Sequence, residues 1–261
     1  VKEEEGMFIS FFEEFPTGKN LEKIRMISWP AKVYIAAKSM DDYVQIRKLI
    51  TNRNIKEIIY WPVVERSEGY WISPFTKRKA LIRVFSECRG KNIPIMIDAE
   101  LPTTQNPFLY ITQGFNFFRN KRLIEKFLRM QKTVYIAEYA PMHKNILNIM
   151  GIFGLHFDPA IYKNKIIKMC YHSMHHESAE EAERKINEGR RLWGKNFIIG
   201  YGTIASGIQG NEPILPYKKL EEDLLRAEKA GVDEVIIFRL GGLNKRYAQI
   251  IKNHAVSRGQ S

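Results

Sequence analysis

Residues 224–239 read LLRAEKAGVDEVIIFR, and the order of parts in this stretch decides the fold. Leu224, Leu225 and Ala227, with Leu220 one turn earlier, form one apolar face of a helix that follows Pro216. Ala230-Gly231-Val232 closes that helix, with glycine suited to the left-handed turn at a helix end. Glu234–Phe238 then gives a short, nearly continuous apolar run, the pattern of a parallel strand covered on both faces. Arg239 stands just past it, where a strand delivers its chemistry.

The same unit repeats along the chain. Lead-ins of the form helix end, polar turn, strand occur at Asn52–Lys56, Arg89–Asn92 and Trp193–Asn196. Strands are expected at Met7–Phe12, Lys32–Ala37, Glu57–Trp61, Pro94–Ile97, Thr133–Ala137, Lys165–Cys170, Phe197–Tyr201 and Glu234–Phe238. Every gap is too long for a hairpin and long enough for a crossover helix. Ser39 or Asp41 is placed to cap one such helix, and Ser178-Ala179-Glu180-Glu181 to start another. Eight alternations predict an α/β protein, a single (β/α)8 TIM barrel spanning 1–261 as one domain, close to the roughly 250 residues typical of that fold. An open doubly wound sheet would carry a glycine-rich loop after its first strand, and Ser10-Phe11-Phe12-Glu13 offers none.

Composition narrows the function classes. Hydrophobic residues make up 44% and charged residues 27%, the balance of a folded globular chain. No apolar run is long enough for a membrane helix. The net charge of +12 suits either a polyanion partner or a lysine-rich surface of the thermophile type. The basic residues are scattered over most of the helices and form no nucleic-acid motif, so nucleic acid is not the expected partner. Two cysteines, Cys88 and Cys170, are too few for a disulfide framework or a metal finger and read as small core residues. Val1 in place of Met is consistent with a processed chain, either cytoplasmic or exported with an N-terminal segment removed.

In a barrel the active site is expected on the loops that follow the strands. The residues there are Glu13-Glu14, Lys38-Ser39, Trp61-Pro62, Asp98-Ala99-Glu100, Glu138-Tyr139, Tyr171-His172, Tyr201-Gly202-Thr203 and Arg239. Asp98 and Glu100 are the sharpest pair. Two apart on one strand, they point the same way and share a field. One is pushed toward its protonated form and can serve as a general acid, while the other stays charged. Glu138 on the next strand is placed to join them. Trp61 and Trp71 are the expected sugar-stacking aromatics, with Tyr201, Arg239 and His172 as further substrate contacts. Glu212, in the loop after the seventh strand, is long enough to reach back.

Asp98-x-Glu100 closing strand four and Met169-Cys170-Tyr171 closing strand six resemble chitinase-type, substrate-assisted glycoside hydrolases. The resemblance implies Glu100 as the acid that protonates the glycosidic oxygen. It implies Asp98 as the carboxylate that orients the substrate's N-acetyl group, and Tyr171 as the assisting phenol. Two earlier aspartates of that family's motif fall here at Ile93 and Met96, and its closing tryptophan on strand eight has no counterpart in Ile237-Phe238-Arg239. The partner so implied is an oligosaccharide or other small-molecule substrate, with no cofactor. Two alternatives stay open. One is a divalent-metal isomerase, lyase or hydrolase using His172 with the same carboxylates, and His175, His176 and Glu177 nearby. The other is a catalytically silent, ligand-binding barrel.

Overall fold

A computed structural model describes residues 7–139, 143–171, 173–174 and 178–256. It contains eight strands: β1 (Phe8–Glu13), β2 (Ala31–Ala37), β3 (Ile55–Pro62), β4 (Ile95–Asp98), β5 (Val134–Glu138), β6 (Lys165–Cys170), β7 (Phe197–Gly202) and β8 (Glu234–Phe238). Their order is β1-β2-β3-β4-β5-β6-β7-β8, closed into a barrel. The protein is a (β/α)8 TIM barrel. Each strand lies within two residues of the position its apolar run predicts.

Registers are parallel where they are defined. Phe8 to Phe12 of β1 face Glu234 to Phe238 of β8, and Ile95 to Asp98 of β4 face Val134 to Ala137 of β5. Ile9, Phe11, Val33, Ile59, Ile95, Ile97, Ile136, Ile199 and Ile237 are all fully buried. Each such side chain contributes about 1.5–3 kcal/mol relative to exposure, which explains why the runs lack a polar alternate face.

Helices follow the strands as the sequence predicts. Ser39 Oγ accepts from Asp42 N at 3.1 Å at the start of Met40–Lys48, and Ser178 Oγ accepts from Glu181 N at 3.1 Å at the start of Ala179–Trp193. Gly231, with φ +69°, makes the turn between Tyr217–Lys229 and β8. The connection after β1 is shorter than a full crossover helix, with one turn at Gly18–Leu21 running into a 3-10 segment at Glu22–Met26. Cys88 is buried at the end of the helix Arg78–Cys88, and Cys170, the last residue of β6, is half-buried.

By its contacts the chain forms two compact units. One comprises the segments up to 35, 46–58 and from 168 onward, and the other comprises 36–45 with 59–167. In the first unit the strand starts carry a closed polar network. Glu234 takes Lys32 Nζ at 2.6 Å, Ser10 Oγ at 2.8 Å and Tyr34 OH at 3.1 Å, while Ser10 Oγ accepts from Lys32 N at 3.1 Å. A carboxylate buried there is tolerable because a cation and two hydroxyls replace its water.

Candidate active site

In the unit containing 59–167, three strands end in candidate groups. Asp98 closes β4 and is 5% exposed. Its backbone is fixed on both sides: Asp98 O accepts from Ile72 N at 3.1 Å, and the next residue, Ala99, donates its N–H to Ala137 O at 2.9 Å. Glu100 lies two residues further on and is half-buried, but β4 has already ended at Asp98, so strand alternation does not set its direction as the sequence reading expected. Because Asp98 pairs with Ala137, the end of β5 brings Glu138 alongside Ala99.

Glu138 is fully buried and faces an imidazole. Nδ1 of His156 lies 3.1 Å from each of its two carboxyl oxygens. An ionised carboxylate only accepts, so with Glu138 charged the proton of this contact sits on Nδ1. That fixes the orientation of the His156 ring. His156 stands eighteen residues beyond Glu138, between the helices Lys144–Ile152 and Pro159–Tyr162. No spacing rule connects the two, and sequence reasoning missed the pair.

Trp61 and Trp71 are in the same unit, and both are buried. Trp71 meets Tyr70 edge to face at 5.4 Å, and Trp71 O accepts from Thr76 Oγ1 at 2.8 Å. Asn120 holds the loop from behind, donating to Pro74 O at 2.9 Å and Thr76 O at 3.0 Å. The two indoles therefore offer little open stacking face.

The other unit has its own set. Glu13, buried at the end of β1, accepts from Arg239 Nη1 at 3.1 Å, Phe15 N at 2.8 Å, Asn20 Nδ2 at 3.2 Å and Gly241 N at 2.7 Å. Burial still holds its pKa above the ordinary carboxylate value, outweighing Arg239 and the hydrogen bonds. Arg239 also donates Nε to Ser206 O at 2.8 Å and lies 4.8 Å over the Phe15 ring. Tyr171 is buried against Phe238, ring centres 5.7 Å apart, and Tyr201 is wholly inside the core. The loop after β7 is tied to the end of β6: Thr203 N donates to Ser173 Oγ at 2.7 Å, and Ser173 Oγ donates to Gly202 O at 2.8 Å.

Glu14 and Glu212 meet at Gly207. A Cβ placed on this glycine would stand 3.1 Å from Glu14 Oε2, 2.9 Å from Glu212 Oε1 and 2.9 Å from the Phe238 ring. A side chain at 207 would press on the Phe238 ring and on both carboxyl groups, so glycine lets the loop pass close to them. Glu212 also accepts from Gln209 N at 3.1 Å. Its reach back toward the strand ends was readable as a possibility, but its meeting with Glu14 was not.

His172 lies outside the described residues, as do His175, His176 and Glu177. Among the described residues there is no group of three or more His, Cys, Asp or Glu side chains arranged to hold a metal ion.

No protein-family model matches the chain, and no curated protein matches its sequence. Solved structures do match in shape. The spore cortex-lytic enzyme SleL of Bacillus cereus aligns with TM-score 0.60 and 9% identity, over 95% of this chain and 74% of that one. The glycoside hydrolase domain of PgaB (BpsB) from Bordetella bronchiseptica aligns with TM-score 0.53 and 10% identity, over 95% and 96%. A chitinase domain from Pyrococcus furiosus, solved with chito-oligosaccharides, aligns with TM-score 0.51 and 10% identity, over 98% and 97%. The chain shares its barrel fold with these structures. At these identities the likeness concerns the fold.

Proposed function

We propose that residues 1–261 act as one barrel domain whose strand ends hydrolyse glycosidic bonds in an oligosaccharide. The observation that carries this reading is Asp98-x-Glu100 at the end of β4, in a fold shared along nearly its whole length with glycoside hydrolases.

Glu100, half-buried at the rim, is the general acid. Its carboxyl proton passes to the glycosidic oxygen as the C1–O bond breaks, and its carboxylate then takes a proton from the attacking water. Asp98, held by its fixed backbone, orients the N-acetyl group whose carbonyl oxygen attacks C1, and its negative charge offsets the positive charge that develops. Glu138 acts through His156, which it orients. Trp61 and Trp71, in the same unit as Asp98 and Glu100, back the substrate wall. This chemistry needs no cofactor.

The test is hydrolysis of a broad oligosaccharide panel, N-acetylated sugars included, by the wild type and Glu100→Gln, each with and without chelator. Turnover that persists with chelator and falls by about 10²–10⁴-fold in the variant supports the acid/base reading. Turnover abolished by chelator assigns the reaction to a metal. Binding without turnover assigns the barrel a binding role.

A further inference from the structure

Between Glu100 and Arg119 the chain carries no charged residue. This run, Leu101–Phe118, leads through a helical turn at Leu109–Thr112 and a 3-10 turn at Gly114–Asn116 into the helix Phe117–Met130. It does not bury its largest side chains. Phe115 is 96% exposed, Phe118 72%, Ile111 70% and Phe108 64%.

The exposed surface continues onto the neighbouring helix Lys144–Ile152. Lys121 Nζ donates to Ile152 O at 3.1 Å, and the rings of Phe117 and Phe153 lie 6.4 Å apart. Ile149, Ile152 and Phe153 at that end are also exposed. A cluster of large apolar side chains of this kind marks an interaction surface.

Charge identifies the partner. Directly after Phe118 come Arg119, Lys121 and Arg122, with Lys126 one helical turn on from Arg122. Arg119, Arg122 and Lys126 are exposed. Glu125, the acidic residue among them, lies 3.8 Å from Lys121. The helix Lys144–Ile152 adds a lysine and no acid. Projecting phenylalanines bordered by cations match a bilayer surface, where rings enter the headgroup–acyl boundary and cations meet lipid phosphates. We propose that this corner, Phe108–Arg122 with the end of Lys144–Ile152, docks the protein onto a membrane surface rich in anionic lipid. Among the described residues no helix is long and apolar enough to cross a membrane, so the contact is a surface one. The proposal is independent of the hydrolase reading.

The experiment is co-sedimentation of the full chain with vesicles of phosphatidylglycerol and phosphatidylcholine, against phosphatidylcholine alone. Three proteins are compared: wild type, Phe115→Ser/Phe118→Ser and Arg119→Glu/Arg122→Glu. All four positions are exposed, and circular dichroism checks that each variant is folded. The expected result is wild-type binding to the mixed vesicles that weakens at about 0.5 M salt. Each double variant should lower the partition coefficient by about tenfold or more. Equal binding to neutral vesicles, no vesicle binding, or full binding by both variants would overturn it. So would a self-associated wild type that the phenylalanine variant turns monomeric, because the corner would then be an interface between copies of this chain.

Discussion

Glu234 and Glu13 are buried carboxylates on adjoining strands of one unit, one at the start of β8 and the other at the end of β1. Their surroundings differ. Glu234 has a lysine at 2.6 Å and two hydroxyls, a neutralised group with its hydrogen bonds filled. Glu13 has an arginine and three further N–H donors, yet burial still prevails and raises its pKa. Beside it in sequence, Glu14 shares the space at Gly207 with Glu212. The contrast teaches where this barrel stores stability and where it keeps charge in tension. At the start of β8 a lysine neutralises the buried carboxylate, whereas at the end of β1 the desolvation of Glu13 outweighs its arginine, in a fold whose chemistry sits on the loops after the strands.

The largest effect should come from breaking the settled end. Glu234→Ala leaves Lys32 without its closest partner and should cost about 3 kcal/mol in urea unfolding. The folded fraction should keep wild-type turnover. A cost near zero would mean that Glu57, 3.9 Å from Lys32, suffices to hold the lysine.

Glu13 provides a pH test. Its folded pKa lies above the ordinary glutamate value, so the folded state holds the proton more tightly than the unfolded chain. Its contribution is therefore fully present below the unfolded pKa and is lost as pH rises through the folded one. Unfolding free energy measured from pH 4 upward, about the ordinary glutamate pKa, should show this decline. Glu13→Gln should remove that part of the slope, and an unchanged slope would assign it to other groups.

The smallest effect calibrates the rest. Arg83 holds Glu68 through two hydrogen bonds of 2.8 and 3.1 Å, and this bond is the main cause of the lowered pKa of Glu68. The arginine side chain reaches solvent, so Arg83→Lys should cost only about 0.5 kcal/mol. A cost as large as that of Glu234→Ala would erase the distinction between surface and buried pairs.

How much of this was legible follows the range of the interactions. The strands were readable because two-sided burial writes itself as an unbroken apolar run, as in Val235–Phe238. Helix starts at Ser39 and Ser178 were readable because a cap acts over three residues. The end of β4 at Asp98 was readable from its apolar run, but the alternation rule that paired Asp98 with Glu100 stops with the strand, before Ala99. The contact of Glu138 with His156 was not, since it spans a whole helix and loop. Nor was the meeting of Glu14 with Glu212, which depends on the path of a long loop around Gly207. The burial of Trp61, Trp71 and Tyr201 was hidden as well, because an aromatic run reads alike whether its rings face a cleft or the core.

The central claim is that the end of β4 performs the chemistry and does not hold the fold. The most direct test measures thermal unfolding and hydrolysis of an N-acetylated oligosaccharide side by side, for the wild type and Glu100→Gln. The account predicts unfolding midpoints within about 2 °C of each other. It also predicts turnover lower by at least about 100-fold in the variant. Wild-type turnover in a folded Glu100→Gln protein would contradict it.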